Sequence, residues 1–291
     1  MPTRHPHAIG DAGTALLMPA WRLDATSDGA FGVKTVTIFP ANGALGLPSV
    51  HAVYLLFSAR TGVPLALMDG SELTARRTAA ASALAADFLA RQDATRLLLV
   101  GAGRVASLLP GALRSVRPGL HQVVVWNRHA QRAQQLTAQL CAQGFDARLT
   151  DDLPDAVRQA DIVSCATLST QALVQGAWLK PGSHLDLIGS FAPYMREADA
   201  ACFTRSRVFV DTAEALAKSG DVLQALHEGA FNTAALQGTL ATLCLGQSKG
   251  RDTGQCADDE ITLFKSVGTA LVDLAAAELV LTTADNPPLP S

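Results

Sequence analysis

The stretch of sequence that decides the fold is residues 96–128, RLLLVGAGRVASLLPGALRSVRPGLHQVVVWNR. It opens with the apolar run 97–100, which is typical of a strand buried on both faces. Apolar residues then recur at helical spacing over 105–116, and a second β-branched run at 123–125 closes the stretch. Strand, helix and strand in this order predict a βαβ unit.

The turn between the first strand and the helix carries the pattern G-x-G-x-x-A, formed by Gly101, Gly103 and Ala106. Gly101 permits a tight turn out of the strand, and Gly103 leaves the backbone open to a pyrophosphate. Ala106 keeps the helix close to the sheet. The N–H groups at the start of the helix then face the phosphates. The pattern therefore predicts a dinucleotide site, and the alternative is an ordinary glycine turn of another α/β protein.

The composition argues against several classes of protein. The chain has 291 residues, 48% of them hydrophobic, and a formal net charge of −3. These values predict a soluble globular protein of one or two domains that does not bind nucleic acid. No apolar stretch has membrane-spanning length, and no signal peptide is evident. The five cysteines lack C-x-x-C spacing, which predicts no metal site, no disulfide framework and a cytoplasmic location.

The pattern of elements changes along the chain. Three short alternating runs, predicted as strands, lie at 32–39, 51–58 and 64–68. With the alanine-rich helix that follows, they predict that residues 1–94 form part of a smaller α+β domain. Residues 95–260 alternate strand and helix, which predicts a doubly wound parallel sheet with its ligand at the carboxyl ends of the strands. Residues 261–291 are predicted to begin with a long apolar helix that packs back on the N-terminal domain.

Motifs spread over nearly the whole chain resemble one known family. They are MPAW (18–21), ALMDG (66–70), LTARRTAAASALAA (73–86), VWNR (125–128), WLKPGSH (178–184), GSFAPYMREAD (189–199), VDTAEALAKSGDV (210–222) and ITLFKSVGTALVDLAAAELV (261–280). In these motifs the chain is similar to the ornithine cyclodeaminase/mu-crystallin family. The resemblance implies a Rossmann-type domain inserted into a substrate and dimerisation domain made from both chain ends. It also implies a homodimer, and an activity among cyclodeaminases, alanine dehydrogenases and reductases of cyclic ketimines.

The chain departs from the family pattern in two ways. It starts later than is usual, so we expect an N-terminal helix and strand of the substrate domain to be missing. The cyclodeaminases also carry an acidic catalytic residue just after the strand predicted at 184–188, where this chain has Phe191. A phenyl ring cannot move a proton. The resemblance therefore favours a reductase, with Phe191 lining the substrate pocket.

Three basic residues are the candidates for the substrate site. Arg77 carries a guanidinium fork that matches a carboxylate, and by resemblance it holds the carboxylate of the substrate. Arg4 matches a second such arginine. Lys34 lies in an apolar strand, where the residues alone favour an edge charge facing water. The resemblance instead places Lys34 in the substrate pocket, where it holds the carboxylate or supplies the proton for the imine.

The cofactor residues are assigned partly from the turn and partly from the resemblance. They are Thr78, Gly101, Ala102, Gly103, Arg104, Val105, Asn127, Arg128, Thr167, Leu168, Ser266, Val267 and Gly268. Asn127 and Arg128 end the second strand, where NAD-preferring proteins carry an acid for the ribose hydroxyl. An arginine suits a 2′-phosphate instead, which predicts NADP as the cofactor, with NAD as the alternative.

We therefore expect an NAD(P)H-dependent reductase of small cyclic imino acids such as Δ1-pyrroline-2-carboxylate. The alternatives are an ornithine cyclodeaminase, an alanine dehydrogenase-like enzyme, or a mu-crystallin-like protein that binds NADPH or another ligand. Among further polar residues, His51 is interpreted as structural. Asp211 and Asp221 flank a predicted helix and are either functional or helix caps.

Overall fold

The structure, a computed structural model, describes residues 4–23, 29–251 and 259–285. Its strands are β1 (His5–Ile9), β2 (Gly13–Arg22), β3 (Ala30–Ile38), β4 (Val50–Ser58), β5 (Pro64–Asp69), β6 (Arg96–Val100), β7 (Gln122–Trp126), β8 (Asp146–Leu149), β9 (Ile162–Cys165), β10 (Thr170–Val174), β11 (His184–Leu187), β12 (Arg196–Ala198), β13 (Ser206–Val210), β14 (Gly238–Thr239) and β15 (Ile261–Lys265). Its α-helices are α1 (Gly70–Leu89), α2 (Arg104–Val116), α3 (Ala130–Ala142), α4 (Leu153–Gln159), α5 (Ala200–Thr204), α6 (Ala215–Lys218), α7 (Gly220–His227), α8 (Leu240–Cys244) and α9 (Ala270–Asp285). The chain forms two compact units: unit 1 is Met1–Arg77 with Thr269–Ser291, and unit 2 is Thr78–Gly268.

Unit 1 is built on an antiparallel sheet of five strands in the order β1-β2-β3-β4-β5. Alternate residues of a strand point to opposite faces, so one residue in two faces the core. On the inner face Met18, Tyr54 and Leu56 pack against Leu274 and Ala277 of α9. The N- and C-terminal parts of the chain therefore share one hydrophobic core.

The opposite face of this sheet is apolar but exposed. It carries Leu17, Trp21, Val53, Leu65 and Leu67, with exposed fractions from 36% to 70%. Each lies at an odd-numbered position, one residue away from the even-numbered positions that face the core. We call these five residues the outer face.

Unit 2 is built on a parallel sheet of eight strands in the order β14-β13-β15-β11-β9-β6-β7-β8. One side of the sheet is covered by the C-terminal part of α1 with α2 and α3, and the other by α4, α5 and α7. Strands buried on both faces read as continuous apolar runs, as 97–100 does. The sequence-based prediction of a Rossmann-type doubly wound sheet is confirmed.

The strand order places a reversal at β6. The chain leaves β6 toward β7 and β8, and then returns to β9 on the other side of β6. In open α/β sheets the ligand binds at the carboxyl ends of the two strands that flank such a reversal. The ends of β6 and β9, near Gly101 and Thr167, are therefore where unit 2 is expected to hold a nucleotide.

The structure corrects the prediction of a helix starting at Ile261. Residues 261–265 form β15, a fully buried strand between β11 and β13, and the helix begins only at Ala270. A short apolar run fits a buried strand and a buried helix equally well, so periodicity does not separate them. The chain passes between the units inside α1 and after Gly268, whereas the sequence analysis placed the bounds at 94 and 260.

Candidate active site

Three buried charged side chains meet inside unit 1. Lys34 Nζ lies 2.7 Å from Asp273 Oδ2, and Arg77 Nε donates to Asp273 Oδ1 at 2.8 Å. Lys34 reaches this point because it lies on the inner face of β3, in register with Tyr54 of β4. Asp273 lies in the first turn of α9, and Arg77 in α1. The structure thus brings together two of the basic residues that the sequence analysis selected.

Burial governs the electrostatics of this cluster. The side chains of Lys34 and Asp273 are 3% and 0% exposed, and that of Arg77 is 8% exposed. Burial lowers the pKa of Lys34 to about 8; the charges of Arg77 and Arg4 act in the same direction, and the charge of Asp273 opposes them. The third candidate, Arg4, is therefore close enough to act on Lys34. An ammonium group with a pKa near 8 can give up its proton at a physiological pH.

Asp273 is the residue of this site that the sequence analysis missed. It stands in an alanine- and leucine-rich helix, between Val272 and Leu274. The signal available was an acidic residue on an otherwise apolar helix. An acid in the first turn of a helix is also a common interaction with the helix dipole, so the signal was weak.

A glycine makes room for the aromatic neighbour of the cluster. A Cβ on Gly32 would lie 2.0 Å from the hydroxyl oxygen of Tyr54, so only glycine fits below the ring. Burial raises the pKa of Tyr54, and the charges of Asp273 and Glu278 raise it further. Tyr54 therefore keeps its proton at any physiological pH, and the titration in this site belongs to Lys34.

In unit 2 the glycine turn has the geometry that a dinucleotide requires. Gly101 has φ of +116°, and a Cβ there would lie 2.6 Å from the carbonyl oxygen of Ala166. Gly103 is the N-cap of α2 without a side-chain cap, and a Cβ on it would project into open space. The N–H groups at this helix start and the space beside Gly103 fit a pyrophosphate. Residues of the turn thus fit the cofactor that the sequence predicts.

The other residues predicted to bind the cofactor fall at the ends of neighbouring strands. Arg128 is exposed just beyond β7, and the Asn127 amide donates to the carbonyl oxygen of His129 at 3.0 Å. Thr167 and Leu168 follow β9, and Leu168 is 76% exposed. Ala102, Arg104 and Val105 belong to the glycine turn and the first turn of α2, and Thr78 is buried in α1.

A buried carboxylate holds the segment 266–268. Asp211 Oδ2 accepts from the Ser266 hydroxyl at 3.1 Å, from the Val267 N–H at 3.0 Å and from the Gly268 N–H at 2.6 Å. Asp211 is therefore not a helix cap, because its carboxylate binds the segment after β15. Asp221 is not a cap either, since its Oδ1 accepts from the N–H groups of Glu197 and Ala198.

Comparison with known proteins agrees with this geometry. The profile of the ornithine cyclodeaminase/mu-crystallin family matches residues 2–286. The chain belongs to this family. It is 40% identical over 269 residues to a Δ1-pyrroline-2-carboxylate reductase of Paracoccus denitrificans, covering 92% of this chain and 83% of the relative.

Two solved structures show the same fold. A Δ1-pyrroline-2-carboxylate reductase of Thermococcus litoralis, in complex with NADH and L-proline, superposes with a TM-score of 0.89 at 33% identity. The match covers 97% of this chain and 86% of that one. An archaeal alanine dehydrogenase dimer with bound NAD superposes with a TM-score of 0.88 at 29% identity, over 100% of this chain and 87% of that one.

At the position that distinguishes the family's cyclodeaminases, the structure places Phe191 beyond the end of β11, with 43% of its surface exposed. Two acids of unit 2 bind other segments. Asp211 holds the segment 266–268, and Glu197 accepts backbone N–H groups at distances of 2.6 and 2.7 Å. His51 lies exposed on β4, away from the buried cluster of unit 1.

The described residues offer neither a metal site nor a membrane-spanning helix. Within them, no three His, Cys, Asp or Glu side chains gather in a way that could hold a metal ion. Among the helices that the structure describes, none has both the length and the apolar character that a bilayer crossing requires.

Proposed function

We propose that this chain is an NAD(P)H-dependent reductase that adds hydride to the C=N bond of small cyclic imino acids such as Δ1-pyrroline-2-carboxylate. The observation that carries the proposal is the convergence of Lys34 and Arg77 on Asp273 inside unit 1. The reductases similar to this chain, from Paracoccus denitrificans and Thermococcus litoralis, support the same substrate class.

The charge balance of the cluster supports binding of an anion. Two buried cations, Lys34 and Arg77, share the buried carboxylate of Asp273, so within the described residues this cluster has one more positive than negative charge, and the charge of Arg4 also acts on Lys34. A buried charge without a partner is costly, so the cluster favours a ligand that brings a negative charge. The hydrogen bond from Nε to Asp273 fixes the plane of the Arg77 guanidinium. Its Nη1–Nη2 edge is then the part suited to grip a carboxylate with two parallel bonds.

The proton of the reaction is assigned to Lys34. Reduction of a cyclic imine forms one C–H bond from the hydride and one N–H bond from a proton, and the C=N double bond becomes a single bond. A general acid works best when its pKa is near the operating pH. Lys34, with a pKa of about 8, meets this condition, and Asp273 holds its Nζ in place.

The residues of the glycine turn would hold the cofactor. The N–H groups at the start of α2 and the open space at Gly103 accommodate the pyrophosphate. A bound nicotinamide supplies the hydride. For the adenosine ribose we propose NADP over NAD, because Arg128 follows β7 at the position where an acid selects NAD. A charge-assisted contact of this kind is worth about 1.5–3 kcal/mol, or roughly a tenfold to hundredfold preference.

Phe191 makes ornithine cyclodeamination a poor second candidate. That reaction must hold a charged δ-amine and exchange protons beside it, which requires a carboxylate. Phe191 has no such group, both oxygens of Glu197 accept backbone N–H groups, and Oδ2 of Asp211 binds the segment 266–268. A preformed cyclic imine has no δ-amine, so it needs only the carboxylate clamp, a proton and a hydride.

We further propose that the chain forms a homodimer through the outer face. Monomeric proteins rarely expose contiguous apolar patches larger than a few hundred Å². A second copy, related by a two-fold axis, presents the same apolar surface and covers this one. The alanine dehydrogenase that is similar to this chain is a dimer. A cytoplasmic location remains a prediction from the cysteine spacing.

The function is tested by following nicotinamide absorbance with one purified preparation. The substrates are Δ1-pyrroline-2-carboxylate, its six-membered homologue, pyruvate with ammonia, and ornithine with NAD. We expect imine reduction with NADPH to exceed every other rate, and product analysis to show proline. Ornithine turnover comparable to imine reduction, or pyruvate reduction that exceeds it, would replace the proposal by one of the alternatives.

Cofactor preference and assembly are tested separately. Arg128→Ala should weaken NADPH binding and leave NADH binding unchanged, and equal kcat/KM with the two cofactors in the wild type would remove the assignment. For the dimer, Val53→Glu should lower the mass measured by light scattering to that of a monomer. Leu149→Glu is the matched control, since Leu149 is 48% exposed on β8 of unit 2 and Val53 is 46% exposed.

A further inference from the structure

Glu197 is a fully buried carboxylate in β12 that links two strand ends of unit 2. Its Oε1 accepts from the N–H and the hydroxyl of Thr167, at 2.7 and 2.8 Å. Its Oε2 accepts from the N–H of Gly189 at 2.6 Å. Thr167 follows β9 and Gly189 follows β11, and these strands are neighbours in the sheet. One side chain therefore sets the spacing between the two segments.

The two segments approach so closely that no side chain fits between them. A Cβ on Gly189 would lie 1.9 Å from the carbonyl oxygen of Thr167 and 2.4 Å from Glu197 Oε1. On its other side, the Thr167 segment meets the glycine turn, because a Cβ on Gly101 would lie 3.2 Å from Thr167 Cγ2. The contacts thus run from Glu197 through Thr167 to the turn that fits a pyrophosphate.

The backbone of Glu197 is bound by Asp221, which forms an ion pair with Lys265. Asp221 Oδ1 accepts from the N–H groups of Glu197 and Ala198, at 2.7 and 3.0 Å. Asp221 Oδ2 lies 3.4 Å from Nζ of Lys265, and both of these side chains are 0% exposed. Lys265 ends β15, which is hydrogen-bonded to β11. The position of Glu197 is therefore tied to the sheet at both its backbone and its side chain.

The charged and titratable groups close to Glu197 come from three elements, β15, α7 and β9. Burial raises the pKa of Glu197 to about 7; Lys265 of β15 lowers it, Asp221 of α7 raises it, and the hydrogen bonds from Thr167 lower it. The thiol of Cys165 in β9 is also close, since Glu197 contributes to the rise of its pKa. A protonated Glu197 loses an acceptor position, so one of its three bonds weakens.

We propose that Glu197 is a positioning residue for hydride transfer, which holds the segment after β9 against the glycine turn and so sets where the cofactor lies. The inference rests on the proposed function, because it assumes that the glycine turn binds NAD(P)H. Glu197 is not a catalytic residue: it is 0% exposed, and both of its oxygens are bound inside the protein.

The test compares Glu197→Gln with Asp199→Asn. In Glu197→Gln one carboxylate oxygen becomes an amide that faces an N–H group, so one end of the link breaks at nearly constant volume. Asp199, two residues after Glu197, is the matched control, because its Oδ1 also accepts two backbone N–H groups, but from Gly176 and Cys202. Both variants should lower the melting temperature, but only Glu197→Gln should affect the cofactor.

Two readouts separate this inference from the proposed function. NADPH affinity, measured by fluorescence titration without any substrate, should weaken several-fold in Glu197→Gln and stay unchanged in Asp199→Asn. With the imino acid, kcat should fall roughly tenfold to hundredfold in Glu197→Gln while KM for the imino acid changes little. A wild type that binds NADPH but reduces no imine would contradict the proposed function alone, and the affinity comparison would still test Glu197.

The pH profile gives the third readout. In the wild type, kcat should fall below about pH 7 as Glu197 gains a proton, and this acid limb should vanish in Glu197→Gln. If Glu197→Gln does not fold, Thr167→Val removes one bond to the carboxylate. Because that bond lowers the pKa of Glu197, the acid limb should move to higher pH. Wild-type NADPH affinity, kcat and acid limb in a folded Glu197→Gln, or an unmoved limb in Thr167→Val, would overturn the inference.

Discussion

Each unit of this protein buries a cluster of charges, and the two clusters have opposite balance. In unit 1, two cations, Lys34 and Arg77, surround one carboxylate, Asp273. In unit 2, two carboxylates, Glu197 and Asp221, surround one cation, Lys265. Burial is nearly complete in both. Burial alone therefore does not tell a binding site from a structural network.

The partners of the carboxylates explain the difference. Glu197 and Asp221 accept hydrogen bonds from backbone N–H groups, which are neutral donors supplied by the fold. Asp273 instead binds two cationic side chains and leaves them with a surplus of positive charge. In unit 2, both oxygens of Glu197 and Oδ1 of Asp221 bind backbone N–H groups of the fold, whereas we propose that an anionic ligand completes the cluster of unit 1. The following variants test this contrast.

The largest effect is expected from Arg77→Ala. Loss of the guanidinium removes the proposed clamp and leaves Asp273 with a single cation. We expect kcat/KM for the imino acid to fall by roughly a hundredfold to thousandfold, while NADPH still binds. Steady-state kinetics and NADPH titration measure the two quantities. Arg76→Ala is the control, since the side chain of Arg76 is 68% exposed and pairs with Glu72 on the surface. Near-normal kcat/KM in Arg77→Ala would mean that Arg4 or Lys34, and not Arg77, holds the carboxylate of the substrate.

Lys34→Arg tests the proton role apart from the charge. Arginine keeps the positive charge near Asp273 but does not release a proton in the physiological range. We expect kcat to fall by roughly a hundredfold, and KM for the imino acid to change much less. The wild-type rate should decline above about pH 8, where Lys34 loses its proton, and this alkaline limb should be absent in the variant. Lys180→Arg is the control at a half-buried ion pair outside the cluster. A variant that keeps the alkaline limb would assign the proton to another group.

Asp273→Asn should move the alkaline limb. The charge of Asp273 raises the pKa of Lys34, so its removal lowers that pKa further and shifts the limb to lower pH. The rate at pH 8 should then fall several-fold more than the rate at pH 6.5. The pH dependence of kcat measures the shift. Glu278→Gln, on the same helix and paired with Arg22, should leave the limb in place. An unchanged alkaline limb in Asp273→Asn would mean that the charge of Asp273 does not act on the pKa of Lys34.

The smallest effect is on stability and concerns another buried carboxylate of unit 2. Burial raises the pKa of Asp186 to about 6, and bonds from Ser164 and Ser82 oppose the rise. The folded state then holds a proton that the unfolded state releases near pH 3.8, so the contribution of Asp186 to stability falls as the pH rises through 6. Asp186→Asn removes this pH-dependent cost.

We expect Asp186→Asn to gain about 1–3 kcal/mol over the wild type at pH 7.5 and less at pH 4.5. Thermal unfolding at the two pH values measures the difference. Asp146→Asn, at an exposed residue of β8, should show the same effect at both. A loss of stability at pH 7.5 in Asp186→Asn would mean that the bonds to the serines outweigh the cost of burying the charge.

The parts of this molecule that the sequence predicts are those with local signals. The βαβ unit at 96–128 follows from a buried strand, two glycines and a helical stripe, all within one stretch of chain. Missed elements lack such signals. The edge strand β1 is exposed at every position and has no apolar alternation. β15 is buried at all five positions, but only three of its residues are apolar, so its period does not identify it as a strand.

The residues of the candidate site also divide into those with a signal in the local sequence and those without one. Arg77 and Lys34 were found through motifs that resemble a family, and the structure adds that they share one counter-ion. Asp273 was missed because its partners lie far away in the chain, 239 and 196 residues before it, and only the pairing of β3 with α9 in one core brings them together. The bonds from Glu197 to Thr167 and Gly189 depend on the order of strands in the sheet, which short sequence patterns do not determine.

The central claim is that the positive surplus in unit 1 binds the carboxylate of the substrate, and calorimetric titration tests it most directly. L-Proline, the product of the proposed reaction, is titrated into the wild-type protein saturated with NADP, and L-prolinamide, which lacks the carboxylate charge, is titrated in parallel. We predict that L-proline binds and that L-prolinamide binds at least about a hundredfold more weakly, with the difference lost in Arg77→Ala. Equal affinity for the two ligands in the wild type would contradict the account.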